Sequence, residues 1–76
     1  MPRHSIRQGR RYRASLSLGF VESMATNAMI TQRFTDMGFS EIRVSGSGSE
    51  RTVEALWPLP DTEGDIPRQV SALIEI

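Results

Sequence analysis

The arginines at the start of the chain are the residues whose type and spacing most clearly suggest chemistry. Arginine occupies five of the first thirteen positions, with one histidine and no acid among them: Arg3, Arg7, Arg10, Arg11 and Arg13. The whole chain is formally neutral, so the residues after this basic start carry a net negative charge and form an acidic body. A clustered basic stretch is typical of nucleic-acid or phosphate binding, because arginine pairs bidentately with phosphate oxygens. There are two alternatives. The basic start could be a solvated terminus, or an arm that folds over the acidic body of its own or of a neighbouring subunit.

The acidic residues offer a second candidate, the alternating trio of Asp61, Glu63 and Asp65. This trio lacks the twelve-residue spacing and the glycine position of a calcium loop, so a solvated acidic turn is the better interpretation. Catalysis has less support, because the sole histidine, His4, lies at the chain start and there is no cysteine. We therefore predict no catalytic residues, no metal site and no cofactor, and we expect that the protein is not an enzyme.

Length and composition favour one small domain. With 76 residues, 38% of them hydrophobic, the chain can form a single modest core. No apolar run approaches the roughly 20 residues that a membrane-spanning helix needs, and the basic start lacks the apolar segment of a secretory signal. The absence of cysteine excludes a disulfide framework and a zinc knuckle. We expect a cytoplasmic or virion location; a periplasmic one is the alternative, because the lack of cysteine is compatible with any compartment.

Hydrophobic periodicity predicts the elements that must position these residues. Residues 11–18 alternate as a half-buried strand. Its core face is Tyr12, Ala14, Leu16 and Leu18, and its outer face is Arg11, Arg13, Ser15 and Ser17. Residues 20–37 are predicted to form a helix that ends at Gly38. Because its apolar surface is wider than one stripe, this helix is covered on more than one side or faces a partner.

The second half of the chain predicts a hairpin followed by a second helix. Residues 40–45 and 51–57 alternate as strands on either side of the loop at 46–49, and Pro58 ends the second of them. After the acidic turn at 61–65, the spacing of Ile66, Val70 and Leu73 favours a helix over residues 66–74, with Asp65 as its N-cap. A short final strand within residues 71–76 is the alternative.

This order of elements predicts an α+β fold. The arrangement is β-α-β-β-α, a split βαβ or truncated ferredoxin-like fold, with a three-stranded sheet and both helices on one face. The strand of 51–57 would lie between the other two. Residues 1–10 would be a flexible Arg-rich arm ahead of a single domain over 11–76. The outer edge of the strand of 11–18 would then stay open to a strand of a second copy or of a partner.

The order of the elements resembles that of SPOR peptidoglycan-binding domains, which run strand–helix–strand–strand–helix–strand. The residues that carry this resemblance are the Leu18-Gly19-Phe20 exit into the helix and the Met37-Gly38-Phe39 exit out of it. The resemblance implies a cell-wall-binding module, by analogy of topology.

The function favoured by these observations is a small non-enzymatic protein-binding or assembly module of bacterial or bacteriophage type, which we expect to form a homo-oligomer. The candidate partner-binding residues are Arg11, Arg13, Ser15, Ser17, Met29, Ile30 and Trp57. Trp57 is otherwise interpreted as a residue at the rim of the core whose N–H reaches water. One alternative is a nucleic-acid-binding accessory protein that uses Arg3, Arg7, Arg10, Arg11 and Arg13. A SPOR-like cell-wall-binding module is the further alternative.

Overall fold

The computed structural model describes residues 3–65 and 69–76, with only the backbone described for residues 3 and 65. Within these residues the fold is α+β, with six strands in two antiparallel sheets and one α-helix. The strands are β1 (Arg3–Ile6), β2 (Arg11–Ser17), β3 (Ser40–Ser47), β4 (Glu50–Leu56), β5 (Thr62–Asp65) and β6 (Val70–Glu75). The helix is α1 (Asn27–Met37), and a single 3-10 turn at Glu22–Met24 precedes it.

The larger sheet has the order β3-β4-β2-β6, and each neighbouring pair is antiparallel. The predicted position of the strand of 51–57, between the other two predicted strands, is confirmed. The predicted three-stranded sheet is wrong, because β6 pairs with the outer edge of β2 as a fourth strand. The edge of β2 that was expected to be open is therefore closed, and β3 and β6 form the edges of this sheet.

The predicted second helix is wrong where the structure describes it, because residues 70–75 form β6; residues 66–68 lie outside the described residues. A bulge in β6 explains why the sequence pattern favoured a helix here. Leu16 pairs with Val70 but Ser15 pairs with Ala72, so Ser71 is an extra residue on β6. One inserted residue shifts the alternation of a strand, which leaves Val70 and Leu73 half-buried at a spacing of three. That spacing also fits a helix, which is why the pattern predicted one. Because β6 stands where the second helix was expected, the ferredoxin-like arrangement is not matched in full.

The predicted helix over residues 20–37 is shorter in the structure. Ala25 and Thr26 have extended backbone, and α1 begins at Asn27. The Thr26 hydroxyl accepts a hydrogen bond from the Met29 N–H at 3.1 Å. Threonine is a favoured N-cap because its side chain satisfies such a free backbone donor. The predicted end at Gly38 is confirmed, with φ of 113° in the left-handed region that glycine adopts freely.

The core lies between α1 and the larger sheet. Its buried members are Ala14 and Leu16 from β2, Val53 from β4 and Ile30 from α1. The residues packed around them are half-buried: Leu18, Ala25, Phe34, Ile42, Val44, Val70 and Leu73. The predicted core face of the strand of 11–18 is confirmed, because Tyr12, Ala14 and Leu16 are at most 5% exposed.

A second, two-stranded sheet, called here the ribbon, pairs β1 with β5. The acidic turn predicted over 61–65 is wrong, because residues 62–65 form β5, and Asp65 ends this strand instead of capping a helix. The predicted flexible arm of residues 1–10 contains β1, and its mobility stays a prediction. Polar contacts fasten the ribbon: the Ser5 hydroxyl donates to Glu63 Oε1 at 3.1 Å, and the Gln8 N–H donates to Asp61 Oδ1 at 2.8 Å.

Candidate functional site

An open cavity of about 700 Å³ lies on the helix-bearing face of the larger sheet. Its floor is formed by β2 and β6, with Leu16, Val70 and Leu73 among the side chains. One wall is α1, which contributes Met29, Ile30, Arg33, Phe34 and Met37, and the other is the ribbon, which contributes His4, Ile6 and Glu63. A cavity of this size is within the range of small-molecule sites, which is roughly 300–1,000 Å³.

The composition of the ribbon explains why this space is not filled. Its two strands read Arg-His-Ser-Ile and Thr-Glu-Gly-Asp, so Ile6 is the one large apolar residue that it can turn to the sheet. The wall across the cavity is different, since α1 buries Ile30 and half-buries Phe34. A polar ribbon cannot displace water from the apolar floor as a helix does, so part of that floor stays open.

The polar groups of the cavity differ in how they are already engaged. Glu22 Oε1 accepts from the Gly19 N–H at 2.9 Å, and Glu22 Oε2 accepts from Gln69 Nε2 at 2.6 Å. Glu63 accepts from Ser5. Arg33 is exposed, and the ion pairs found within residues 3–65 and 69–76 do not include it. Arg33 is therefore a cation at the cavity whose charge is not neutralised by a described neighbour.

An exposed apolar loop adjoins the cavity at its α1 side. Within residues 20–24, called here the apolar loop, Phe20 is 88% exposed and Val21 and Met24 are each 77% exposed. Ala25, which directly follows the loop, and Met29, which is 58% exposed, both line the cavity. Contiguous exposed apolar side chains mark interaction sites on soluble proteins, whereas single ones do not.

A buried arginine holds the apolar loop in place. Arg51 is 6% exposed and donates from Nη2 to the Ser23 carbonyl oxygen at 3.0 Å. It also donates from Nη1 to Asn27 Oδ1 at 2.9 Å and from Nε to the Gly48 carbonyl oxygen at 3.0 Å. One guanidinium thus joins the loop, the start of α1 and the β3–β4 turn. All three acceptors are neutral.

Sequence reasoning missed this role of Arg51, although a signal was present. Arg51 lies two residues before Val53 in β4, so the alternation that turns Val53 inward turns Arg51 inward as well. An arginine at an inward position requires hydrogen-bond acceptors in the interior. The identity of the acceptors depends on the backbone conformation of residues 19–26. The periodicity did not predict that conformation, because it indicated a continuous helix there.

The predicted partner-binding residues lie on two different faces. On the outer face of the larger sheet, Arg13 Nε lies 2.9 Å from Glu54 Oε2 and Arg11 Nη1 lies 3.5 Å from Glu41 Oε1. Ser15 is half-buried and Ser17 is exposed in the same strand. Met29, Ile30 and Trp57 all line the cavity, where Ile30 and Trp57 are buried at 7% and 8% exposure. The structure therefore brings together Met29, Ile30 and Trp57 but separates them from the β2 residues.

The Trp57 N–H does not reach water as predicted. Its Nε1 donates to the Pro60 carbonyl oxygen at 3.0 Å, and its ring contacts Phe39 edge-on with centroids 4.8 Å apart. The backbone bends at Leu59, between Pro58 and Pro60, and the Pro60 carbonyl lies within reach of the indole. Trp57 is consequently a buried, hydrogen-bonded residue at the end of the cavity.

The arginines predicted to bind nucleic acid are mostly paired with acids. Arg10 Nε lies 3.7 Å from Glu75 Oε2, and Arg11 and Arg13 contact Glu41 and Glu54 as given above. Arg7 is exposed, and the side chain of Arg3 lies outside the described residues. The basic start therefore meets carboxylates of the acidic body, which reduces its positive potential.

Metal binding and membrane spanning each require a recognisable structural feature. In the part of the chain that the structure describes, no three His, Asp or Glu side chains converge as a metal site requires. Of the acidic trio, Asp61 and Glu63 fasten the ribbon, and the Asp65 side chain lies outside the described residues. No helix within those same residues has the length and apolar character to cross a membrane.

No family model, curated protein or solved structure matches this chain. Its function is therefore inferred from its own surfaces.

Proposed function

We propose that the protein is a small protein-binding module that self-associates through the apolar loop and the adjoining Met29. The observation that carries this proposal is the exposure of Phe20, Val21 and Met24, each at least 77% accessible in the single chain. Burying a side chain of this kind contributes roughly 1.5–3 kcal/mol. Covering three of them on each copy would stabilise an association substantially.

The way the apolar loop is held favours binding. The Ser23 N–H donates to the Gly19 carbonyl oxygen at 2.8 Å, and the Ser23 hydroxyl donates to the Phe20 carbonyl oxygen at 2.7 Å. Arg51 fixes the loop from the interior through the Ser23 carbonyl. A segment ordered before it binds loses less conformational entropy in the complex. The apolar side chains are therefore presented on a constrained backbone.

Charge favours a second copy as the partner. Between Gly19 and Met29 the chain carries one ionisable residue, Glu22, and both of its carboxylate oxygens accept hydrogen bonds within the chain. A two-fold interface places a surface against the same surface of its partner, so a self-associating patch must avoid like charges. An apolar loop whose single acid is already engaged meets that requirement.

Light scattering over a dilution series tests the proposal with two matched variants. The wild-type mass should approach twice the chain mass as concentration rises. Met24→Glu should hold the protein as a monomer, because a carboxylate in an apolar interface loses its hydration. Ile74→Glu, at a 50% exposed position on the edge strand β6, should leave association unchanged. A wild-type monomer at all concentrations, or association lost only in Ile74→Glu, would contradict the proposal.

Nucleic-acid binding through the basic start has less support. Three of its five arginines contact carboxylates, and neutralised arginines contribute less to phosphate binding. A SPOR-like role in cell-wall binding, a bacterial or bacteriophage origin and a cytoplasmic or virion location stay predictions.

A further inference from the structure

We propose that the cavity between α1 and the ribbon binds a fatty acid, with the alkyl chain on the apolar floor and the carboxylate at Arg33. The proposal does not depend on self-association: the two surfaces share Met29, but Arg33 belongs to the cavity and Phe20, Val21 and Met24 belong to the apolar loop. It rests on three features of the described residues: the apolar interior of the cavity, the cation at its α1 wall and the arrangement of methionines around that cation.

The interior of the cavity is chemically suited to an alkyl chain. Its floor and inner wall carry aliphatic and aromatic side chains, namely Ala14, Leu16, Ile30, Phe34, Val70 and Leu73. Ala14, Leu16 and Ile30 are buried in the core, whereas the other three are half-buried beside it and border the open volume of about 700 Å³. An apolar ligand there would remove both its own surface and the floor from water, which is the main favourable contribution to such binding.

Among the described residues, three side chains with a formal charge line the cavity, Glu22, Glu63 and Arg33, and Arg33 is the cation among them. Glu22 and Glu63 already accept hydrogen bonds from Gln69 and Ser5. Arg33 has no ion pair among the residues that the structure describes. Its planar guanidinium can donate two parallel hydrogen bonds to a carboxylate. Arg33 lies on α1 and Glu63 on the ribbon, so a carboxylate placed at Arg33 pairs with the cation at the wall opposite Glu63.

The spacing along α1 places the cation within an apolar stripe. Met29, Arg33 and Met37 follow one another at intervals of four and therefore lie along one side of the helix, and all three line the cavity. Methionine adapts its shape to irregular ligands because its side chain is unbranched and flexible. This arrangement provides adaptable apolar contacts on both sides of a single cation, which suits a flexible chain that ends in a carboxylate.

Trp57 makes the binding measurable in the wild-type protein. It is the one tryptophan in the chain and it lines the cavity. Titration with dodecanoate, below its micelle concentration, should therefore give a saturable change in tryptophan fluorescence. Dodecanol and dodecylammonium have the same alkyl chain without the negative charge. Each should bind more weakly than dodecanoate by a factor of about ten or more.

Charge reversal at two arginines separates the proposed site from general attraction to the protein. Arg33→Glu should weaken dodecanoate binding about tenfold or more. Arg43→Glu, at an exposed position on β3 that does not line the cavity, should leave it unchanged. Both positions are exposed, and circular dichroism checks that both variants fold.

Three results would overturn the proposal. These are no saturable change with dodecanoate, equal binding of dodecanoate and dodecylammonium, and undiminished binding by Arg33→Glu. Met24→Glu distinguishes fatty-acid binding from self-association, because it should abolish association while dodecanoate binding persists. Dodecanoate binding that is lost in Met24→Glu and kept in Arg33→Glu would place the ligand on the apolar loop and contradict the cavity site.

Discussion

The two halves of the helix-bearing sheet face are covered in different ways. Where α1 packs, on β3, Ile30 is buried together with Val53 of β4 and Ala14 of β2. Towards β6 the facing element is the ribbon, and the open cavity between them leaves Val70 and Leu73 half-buried. The sheet presents apolar side chains to both covering elements. The difference therefore lies in the covering elements, because α1 supplies an apolar stripe and the ribbon supplies one isoleucine.

The largest expected effect on stability comes from replacing one isoleucine of each covering element with alanine. Ile30→Ala should lower the free energy of unfolding by about 3 kcal/mol, since it removes a buried side chain from a close-packed site. Ile6→Ala, at a half-buried position beside the open cavity, should cost about 1 kcal/mol. Urea denaturation measures both values. Equal losses at the two positions would show that the ribbon covers the sheet as closely as α1 does.

Replacing the buried arginine should have the next largest effect. Arg51→Met should cost about 2 kcal/mol, because the Ser23 carbonyl, Asn27 Oδ1 and the Gly48 carbonyl each lose a charged donor. Arg43→Met, at an exposed position on β3, should change stability by about 0.5 kcal/mol or less. Thermal denaturation of the two variants compares them. Similar melting temperatures for both would contradict the anchoring role of Arg51.

Amide hydrogen exchange compares the two covering elements without any substitution. A two-stranded sheet is marginally stable by itself, and the ribbon adds few apolar contacts to the sheet below it. We therefore expect the amides of residues 4–6 and 62–64 to exchange faster than those in the centres of β2, β4 and α1. Equal protection in all of these segments would mean that the ribbon opens only when the whole protein unfolds, and that residues 1–10 do not form a flexible arm.

The smallest effect is expected at the apolar loop. Val21→Ala should change the stability of the monomer by about 0.5 kcal/mol or less, since the side chain is 77% exposed. The same substitution should weaken association at high protein concentration. Denaturation at low concentration together with light scattering at high concentration separates the two effects. A large loss of stability in the dilute protein would show that Val21 is packed within the single chain.

Local patterns were sufficient to predict the elements that obey them. Strict alternation predicted β2 and the β3–β4 pair, and Gly38 marked the end of α1. The pattern failed at β6, because the bulge at Ser71 gives Val70 and Leu73 a spacing of three. It failed at residues 20–26 as well, because the Thr26 cap and the Arg51 contacts hold a segment of helical composition in another conformation.

The candidate sites could be predicted only in part. Met29 was identified from the width of the apolar helix surface, and it lines the cavity. The ribbon could not be predicted, since β1 and β5 lie far apart in the sequence and contain residues with low strand propensity. The cavity depends on the ribbon's position and on the absence of a second helix from residues 70–75. No local pattern encodes that combination.

Methyl chemical shifts, followed as the protein is concentrated, test self-association through the apolar loop most directly. The methyl groups of Val21, Met24 and Met29 should shift together and saturate, because they would enter the interface. The methyl groups of Val53 in the core and Ile74 on the edge strand should stay unchanged. Shifts confined to Ile74 and its neighbours on β6, or no shifts up to the highest attainable concentration, would contradict the proposed function.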